Sequence, residues 1–225
     1  ESLMARKKRV RRTSPAGVAR YPWLVTPDTR FDEVGKYSVG LVLDPEEHAE
    51  FLARLDELAD EAYENAVKEL KEKKRHQQAK QVQRQDPYTA EYDEEGNETG
   101  KVIVKFSSKA KITTKDGRVI DLAPKLFDAK GQPVQREGLT IYGGSILRVN
   151  FTPNPYYVAA TKLAGVSLQL NAVQILELVS GEADASFFGF EVEEDGYEFE
   201  GNDAADTDED TDDDADDFDI SEEDF

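Results

Sequence analysis

The stretch Lys101–Ile112, KVIVKFSSKAKI, decides how the fold is read. Val102, Val104, Phe106, Ala110 and Ile112 fall on one face, and Lys101, Lys105, Lys109 and Lys111 on the other. A period of two with one apolar face predicts a half-buried strand. Downstream, Asp116-Gly117 is a hairpin turn signal, Arg118–Leu126 follows it, and Lys130-Gly131 marks another turn. Upstream, Lys36–Leu43 (KYSVGLVL) alternates in the same way, with Tyr37, Val39, Leu41 and Leu43 on one face. β-like character begins earlier still, at Tyr21-Pro22-Trp23-Leu24-Val25. Ser145–Phe151 sets Leu147, Val149 and Phe151 against Ile146, Arg148 and Asn150. Val166–Leu178 reads as the last strand, with Val166, Leu168 and Leu170 inward and a phase slip near Asn171-Ala172 that predicts a bulge.

One helix interrupts the strands. Asp44 suits an N-cap, Pro45 the first helical position, and Glu46 and Glu47 the positive end of the dipole. Phe51, Leu55, Leu58, Ala62, Ala66 and Leu70, with Leu52, Ala59, Tyr63 and Val67 beside them, form an apolar stripe. Lys71–Gln85 is cationic and Gln-rich, and is expected to be a solvated extension of the helix or a frayed linker; the helix then covers about residues 45–75 or more. Asp86-Pro87 and Asp93–Gly100 read as loop. Short strands around one inserted helix predict a mainly β chain, best an OB-fold: a five-stranded Greek-key barrel with a long inserted α-helix. An α+β sandwich is the alternative.

Charge divides the chain more sharply than hydropathy does. The whole sequence has 48 Asp and Glu against 28 Lys and Arg, for a net charge of −20. Residues 1–180 carry all 28 cations and 26 acids, a balance of +2; residues 181–225 carry 22 acids and no Lys or Arg. The pI of about 4.5 therefore describes a tail and does not exclude nucleic acid as a partner. The expected division is a tag remnant and basic arm at 1–13, a folded domain at 14–180, and an acidic, disordered tail at 181–225. Glu1-Ser2-Leu3 is read as the remnant, with the natural chain starting at Met4. The arm contains Arg6, Lys7, Lys8, Arg9, Arg11 and Arg12 and cannot fold alone. Zero Cys excludes disulfides and thiolate zinc sites. No apolar run is long enough to span a bilayer, and the start lacks the apolar core of a signal peptide. A cytosolic setting with no membrane partner is expected.

The lysine face of the first strand, with Lys36 and Arg148 on the polar faces of two others, makes a basic track if those strands are neighbours. An ordinary solvated sheet face is the alternative. Tyr21, Trp23, Tyr156 and Tyr157 lie near Pro22 and Pro155 at strand ends or loops, where they can stack on unpaired bases; capping of the barrel end by Trp23 or Tyr157 is the competing role. In the tail, Asp206–Asp219 lacks the turn Gly and terminal Glu of a calcium loop. Phe218, Ile220 and Phe225 at the end of a polyanion suit a short peptide that docks in a cation-ringed pocket. There is no Walker loop, Gly143-Gly144 is a turn, and His48 and His76 lie on the helix with no carboxylate–serine arrangement nearby in sequence. The chain is read as non-enzymatic, with no metal and no cofactor.

Several pieces together resemble a known family. They are Tyr142-Gly143-Gly144-Ser145 leading into Leu147–Phe151, Pro155-Tyr156, Ser167–Leu170 (SLQL), Glu191–Tyr197 (EVEEDGY), and the acidic end with a final Phe225. The chain is similar, over about residues 18–200 and in its tail, to the single-stranded DNA-binding proteins of T-odd-like podophages. The resemblance implies an OB-fold with a helix between strands and a groove of basic and aromatic residues. It also implies a tail that contacts the replicative polymerase and helicase–primase and helps form a homodimer. By position, Tyr156 matches a groove aromatic and Phe225 the terminal aromatic of partner binding. The arm at Arg6–Arg12 and the extension at Lys71–Gln85 depart from the family pattern.

The expected function is non-sequence-specific binding of single-stranded DNA in phage replication and recombination, in the cytoplasm of the infected host, with strand annealing as a further expectation. The expected DNA contacts are Tyr21, Trp23, Lys36, Lys101, Lys105, Lys109, Lys111, Arg148, Asn150, Tyr156, Tyr157 and Lys162. The expected partner contacts are Phe218, Asp224 and Phe225. An acidic-tailed chaperone or DNA mimic that binds basic proteins, and an RNA-binding OB protein, are the competing functions.

Overall fold

Alternation along the sequence becomes burial in the structure, a computed structural model that describes residues 10–179. The basic arm up to residue 9, the EVEEDGY segment, and Phe218, Asp224 and Phe225 lie outside the described residues. In chain order the elements are β1 (Arg12–Thr13), β2 (Gly17–Asp28), β3 (Lys36–Leu43), α1 (Ala49–Glu72) and α2 (His76–Gln81). Then come β4 (Gln83–Arg84), β5 (Thr89–Tyr92), β6 (Glu98–Lys109), β7 (Lys111–Thr113), β8 (Val119–Asp121) and β9 (Lys125–Phe127). The long hairpin of β10 (Ile146–Val158) and β11 (Leu163–Glu177) ends the fold.

Five strands close a ring. β3 pairs antiparallel with β2 and β6, and β10 pairs antiparallel with β2 and β11. The remaining gap is bridged in parallel by Ser107 of β6 and Gln169 of β11. This is the barrel expected of the OB-fold, with the long helix inserted between β3 and β6. Its interior is filled by Val39, Leu41 and Leu43, Val104 and Phe106, Leu147, Val149 and Phe151, and Leu168 and Leu170. Helix α1 plugs the barrel: the Phe51 ring meets Phe151 edge-on at 6.2 Å, and Phe151 meets Phe106 at 5.1 Å. The expected bulge is present, because Asn150 pairs with Ala172 while Phe151 pairs with Leu170. Asn171, left over, donates through Nδ2 to Asn150 Oδ1 at 3.2 Å and Thr152 Oγ1 at 2.9 Å.

Glu98–Gly100, expected in a loop, open β6, and Tyr21, Trp23, Tyr156 and Tyr157, expected at strand ends or loops, lie within β2 and β10. Three further expectations change. First, α1 starts at Ala49, and Asp44 caps a lead-in turn: Oδ1 accepts from the Glu46 amide at 2.8 Å, and the His48 amide reaches Asp44 O at 3.0 Å. Second, Lys71–Gln85 is neither a straight extension nor a frayed linker. Helix α1 ends in a Schellman turn: the Arg75 amide donates to Leu70 O and the Lys74 amide to Lys71 O, with Lys74 at φ 59. Helix α2 then folds back, burying Ala79 with Val82 against Ala66, Leu70 and Ala164 in a second small core. Third, the lysine strand stops at Lys109. The Ala110 amide donates to Gly35 O, and Ala110 O accepts from the Leu122 amide. Lys111 and Ile112 therefore belong to the separate β7–β8 hairpin, and Ile112, expected in the core, is exposed.

Lys74 adopts a left-handed conformation that costs a β-carbon-bearing residue roughly 1 kcal/mol relative to Gly. Lys74→Gly is expected to stabilise the fold by about that amount, raising Tm by about 2–4 °C in a thermal melt.

Candidate nucleic-acid interface

The outer faces of β2, β3 and β6 are set by the registers that close the barrel. Across the three strands the rows read Arg20, Gly40 and Lys105; Trp23, Ser38 and Ser107; and Asp28, Lys36 and Lys109. Small residues in the middle leave a low floor. At Gly40 a Cβ would come within 2.9 Å of Ile103 Cγ2. The result is a cleft of about 770 Å³ with a basic row along one side. Lys36 faces its cross-strand neighbour Lys109, and its pKa lies below the ordinary lysine value, first because it is partly buried and then because Lys105 is near. Anionic groups entering the cleft would relieve that repulsion.

Aromatic residues stand along the opposite side. Tyr21 has φ 47 and is 82% exposed, so a residue in a left-handed conformation holds its ring in solvent. Trp23 is half-buried and lies under the Arg30 guanidinium, 5.0 Å from the ring centroid; Phe31 lies 5.6 Å from the same group. Asp28 takes Arg30 Nε at 2.9 Å and Nη2 at 2.8 Å, and these bonds lower its pKa to about 2.

The far wall, Asp86–Thr89, is anchored by polar bonds. Arg84 reaches Asp56 at 2.7 Å, Asp60 at 2.5 Å and Asp86 at 2.5 Å, and Tyr88 Oη donates to Asp56 Oδ2 at 2.6 Å. At the cleft's end Arg20 bonds to the buried Glu91, which also accepts from Thr99 Oγ1 at 2.8 Å. Burial opposes ionisation of Glu91, but these bonds outweigh it and hold the carboxyl below its usual value.

The profile of the family described as "Single-stranded DNA-binding protein, Bacteriophage T7" matches residues 16–178. The chain belongs to this family. It is 30% identical to the single-stranded DNA-binding protein of Escherichia phage T7, covering 94% of each chain. It is 32% identical to that of Enterobacteria phage T3 over 82% of this chain and 84% of the relative. Its fold superposes on the crystal structure of gp2.5, a single-stranded DNA-binding protein encoded by bacteriophage T7, with a TM-score of 0.62 and 25% identity, over 85% of this chain and 99% of that one. This is a family of binding proteins, in keeping with the non-enzymatic reading. Among the described residues, no cluster of His, Asp and Glu could hold a metal ion, and no helix is long and apolar enough to cross a membrane.

Within this family member the cleft gathers five of the twelve expected contacts: Tyr21, Trp23, Lys36, Lys105 and Lys109. The rest lie elsewhere. Lys101 is on β6 beside Glu91, and Lys111 is on the β7–β8 hairpin. Arg148 Nη1 donates to Gln174 Oε1 at 3.3 Å and Asn150 Nδ2 to Thr13 Oγ1 at 3.3 Å, both on the outer face of the β10 hairpin. Tyr156 sits opposite Gly165, with its hydroxyl 3.1 Å from where a Cβ would be; Lys162 occupies the hairpin turn at φ 61. Tyr157 is half-buried and packs on the small core around Ala164. Sequence reasoning missed Arg20, Arg30, Phe31 and Tyr88. Tyr88 follows Pro87 and satisfies the same proline-neighbour signal as Tyr21, so it was findable; Arg30 and Phe31 carry no periodic signal.

The Asp56 bond pushes the Tyr88 hydroxyl up to about 12. Tyr88 thus binds its proton more tightly folded than unfolded, and this contribution to stability is present below about pH 10 and lost as pH rises towards 12. Ultraviolet titration should show Tyr88 among the late-ionising tyrosines, with Tyr37 and Tyr92 also raised, and Asp56→Asn should return Tyr88 alone towards the ordinary range.

Proposed function

We propose that this chain binds single-stranded DNA without sequence preference, in phage replication and recombination, with the cleft over β2, β3 and β6 as the strand's path. The observation that carries this reading is the convergence of Lys36, Lys105 and Lys109 with Tyr21, Trp23 and Phe31 in one open cleft. Lysines neutralise phosphates and release counterions, while aromatic faces stack bases of any identity. A cleft with both elements fits unpaired strands of arbitrary sequence. Family membership and the relatives' names support the same reading. Lys101, Lys111, Arg148, Asn150, Tyr156 and Lys162 are proposed as contacts along the strand's exit from the cleft.

The tail enters by charge. A segment with 22 acids and no Lys or Arg, attached to a domain with a balance of +2, competes with DNA for the basic row. Strand binding then releases the tail, which presents Phe218, Asp224 and Phe225 to the polymerase and helicase–primase of the phage in the host cytoplasm. Homodimer formation and annealing of complementary strands belong to the same proposal.

Two measurements test it. Lys36→Gln and Lys109→Gln should each reduce the slope of log affinity against log salt by about 0.7, while Tyr21→Ala should weaken binding by roughly 1–3 kcal/mol with little change in slope. Deleting residues 201–225 should raise affinity for oligo-dT most at low salt. Removing Phe225 alone should spare DNA binding and weaken polymerase binding. Unaltered affinity after truncation would sink the competition.

A further inference from the structure

The outer end of β2 carries an arrangement that the path of phosphates does not require. At Pro27-Asp28 the strand turns, and Asp28 clips Arg30 two residues on: its Oδ1 accepts from the Arg30 amide at 3.1 Å and from Nε at 2.9 Å, and its Oδ2 from Nη2 at 2.8 Å. The clip places the guanidinium beside both the Trp23 and Phe31 rings. Phe31 is 91% exposed, yet it lines the same cleft as Trp23, Asp28, Lys36 and Lys109. The guanidinium is a planar, weakly hydrated group that stacks on aromatic faces. Its flat face lies against aromatic surface on which a nucleobase could stack.

We propose that Trp23 and Phe31 are the walls of a slot for one unpaired nucleobase, whose place Arg30 holds in the free protein. The inference rests on the single-stranded DNA reading and deepens it by naming a base subsite. Asp28 cancels the charge of Arg30, so the placeholder adds little to the attraction of phosphates. A base covers more of an aromatic face than a guanidinium does, so exchange favours the base once a strand is present. Phosphates flanking that base would lie near Lys36 and Lys109, which pair with each other next to Asp28 in the strand register. Phe31 thereby acquires a reason to stand bare in solvent.

Trp23 is the only tryptophan of the chain, so its fluorescence reads the slot in the full-length protein. The charge-neutral double variant Asp28→Asn with Arg30→Gln removes the placeholder without changing net charge. Acrylamide quenching of Trp23 in the free protein should rise about twofold, and affinity for oligo-dT should rise about three- to tenfold with an unchanged salt slope. Phe31→Ala should lower affinity about tenfold, again with the slope unchanged and with a normal thermal melt. Unchanged quenching, a fall in affinity of the double variant, or a silent Phe31→Ala in a protein that binds oligo-dT normally would overturn the slot alone. Absence of oligo-dT binding by the unaltered protein would overturn the cleft reading and the slot with it.

Discussion

The Ser107–Gln169 pairing is a single parallel bridge, and the barrel depends on it. On either side of that link β6 is covered by β5, and β11 by β4 and β9, so the bridge closes the stretch between those pairings and leaves no long run of unpaired amides and carbonyls. With it, the apolar faces of five strands turn inward together, and every alternate residue is committed to the outside. Lys105, Ser107 and Lys109 are outward because Val104 and Phe106 are inward, and Lys36 and Ser38 are outward because Tyr37 and Val39 are inward. The chemistry of the cleft is thus the complement of the core. Phe151, seated against Phe51 and Phe106, transmits the same constraint to α1, so the helix is fixed relative to the strands that line the cleft.

Much of this was legible in the sequence because a period of two is a local property. The inward sets of β3, β6, β10 and β11 follow from alternation, and the Asn171 bulge from a slip in phase. What escaped depended on partners distant along the chain. Ala79 and Val82 are isolated apolar residues in a polar run, and their burial waits on Ala164, some eighty positions later, so Lys71–Gln85 reads from sequence as a solvated helical extension or a frayed linker. The break after Lys109 is made by backbone bonds of Ala110 to Gly35 and Leu122, which no side-chain pattern announces. In the cleft, lysines on regular strands and aromatics beside proline were found, while Arg30 and Phe31 were missed because they sit on a loop whose geometry is set by one carboxylate.

The division of charge also gains a physical form. An overall charge of −20 belongs to a chain whose described part groups lysines on one sheet face and carboxylates on another element, α1. Three acids at the cleft are engaged with protein cations, and a fourth, Asp32, accepts from the Val34 amide through Oδ1 at 2.9 Å. Asp28 is bonded to Arg30, Asp86 to Arg84, and Glu91 to Arg20 and Thr99. The charge of these three is offset by protein cations, so an incoming anion meets the lysine row with Asp32 as the carboxylate left beside it.

The Arg84 cluster has a mechanical consequence. By binding Asp56 and Asp60 on α1 as well as Asp86, Arg84 fastens the Tyr88 side of the cleft to a helix that is itself wedged into the barrel by Phe51. That side is the fixed jaw of a vice. The other jaw, the tip of β2, closes on a two-residue clip between Asp28 and Arg30. The two sides are thus held unequally, one by three carboxylates, two of them on the wedged helix, and the other by a single carboxylate at its own tip.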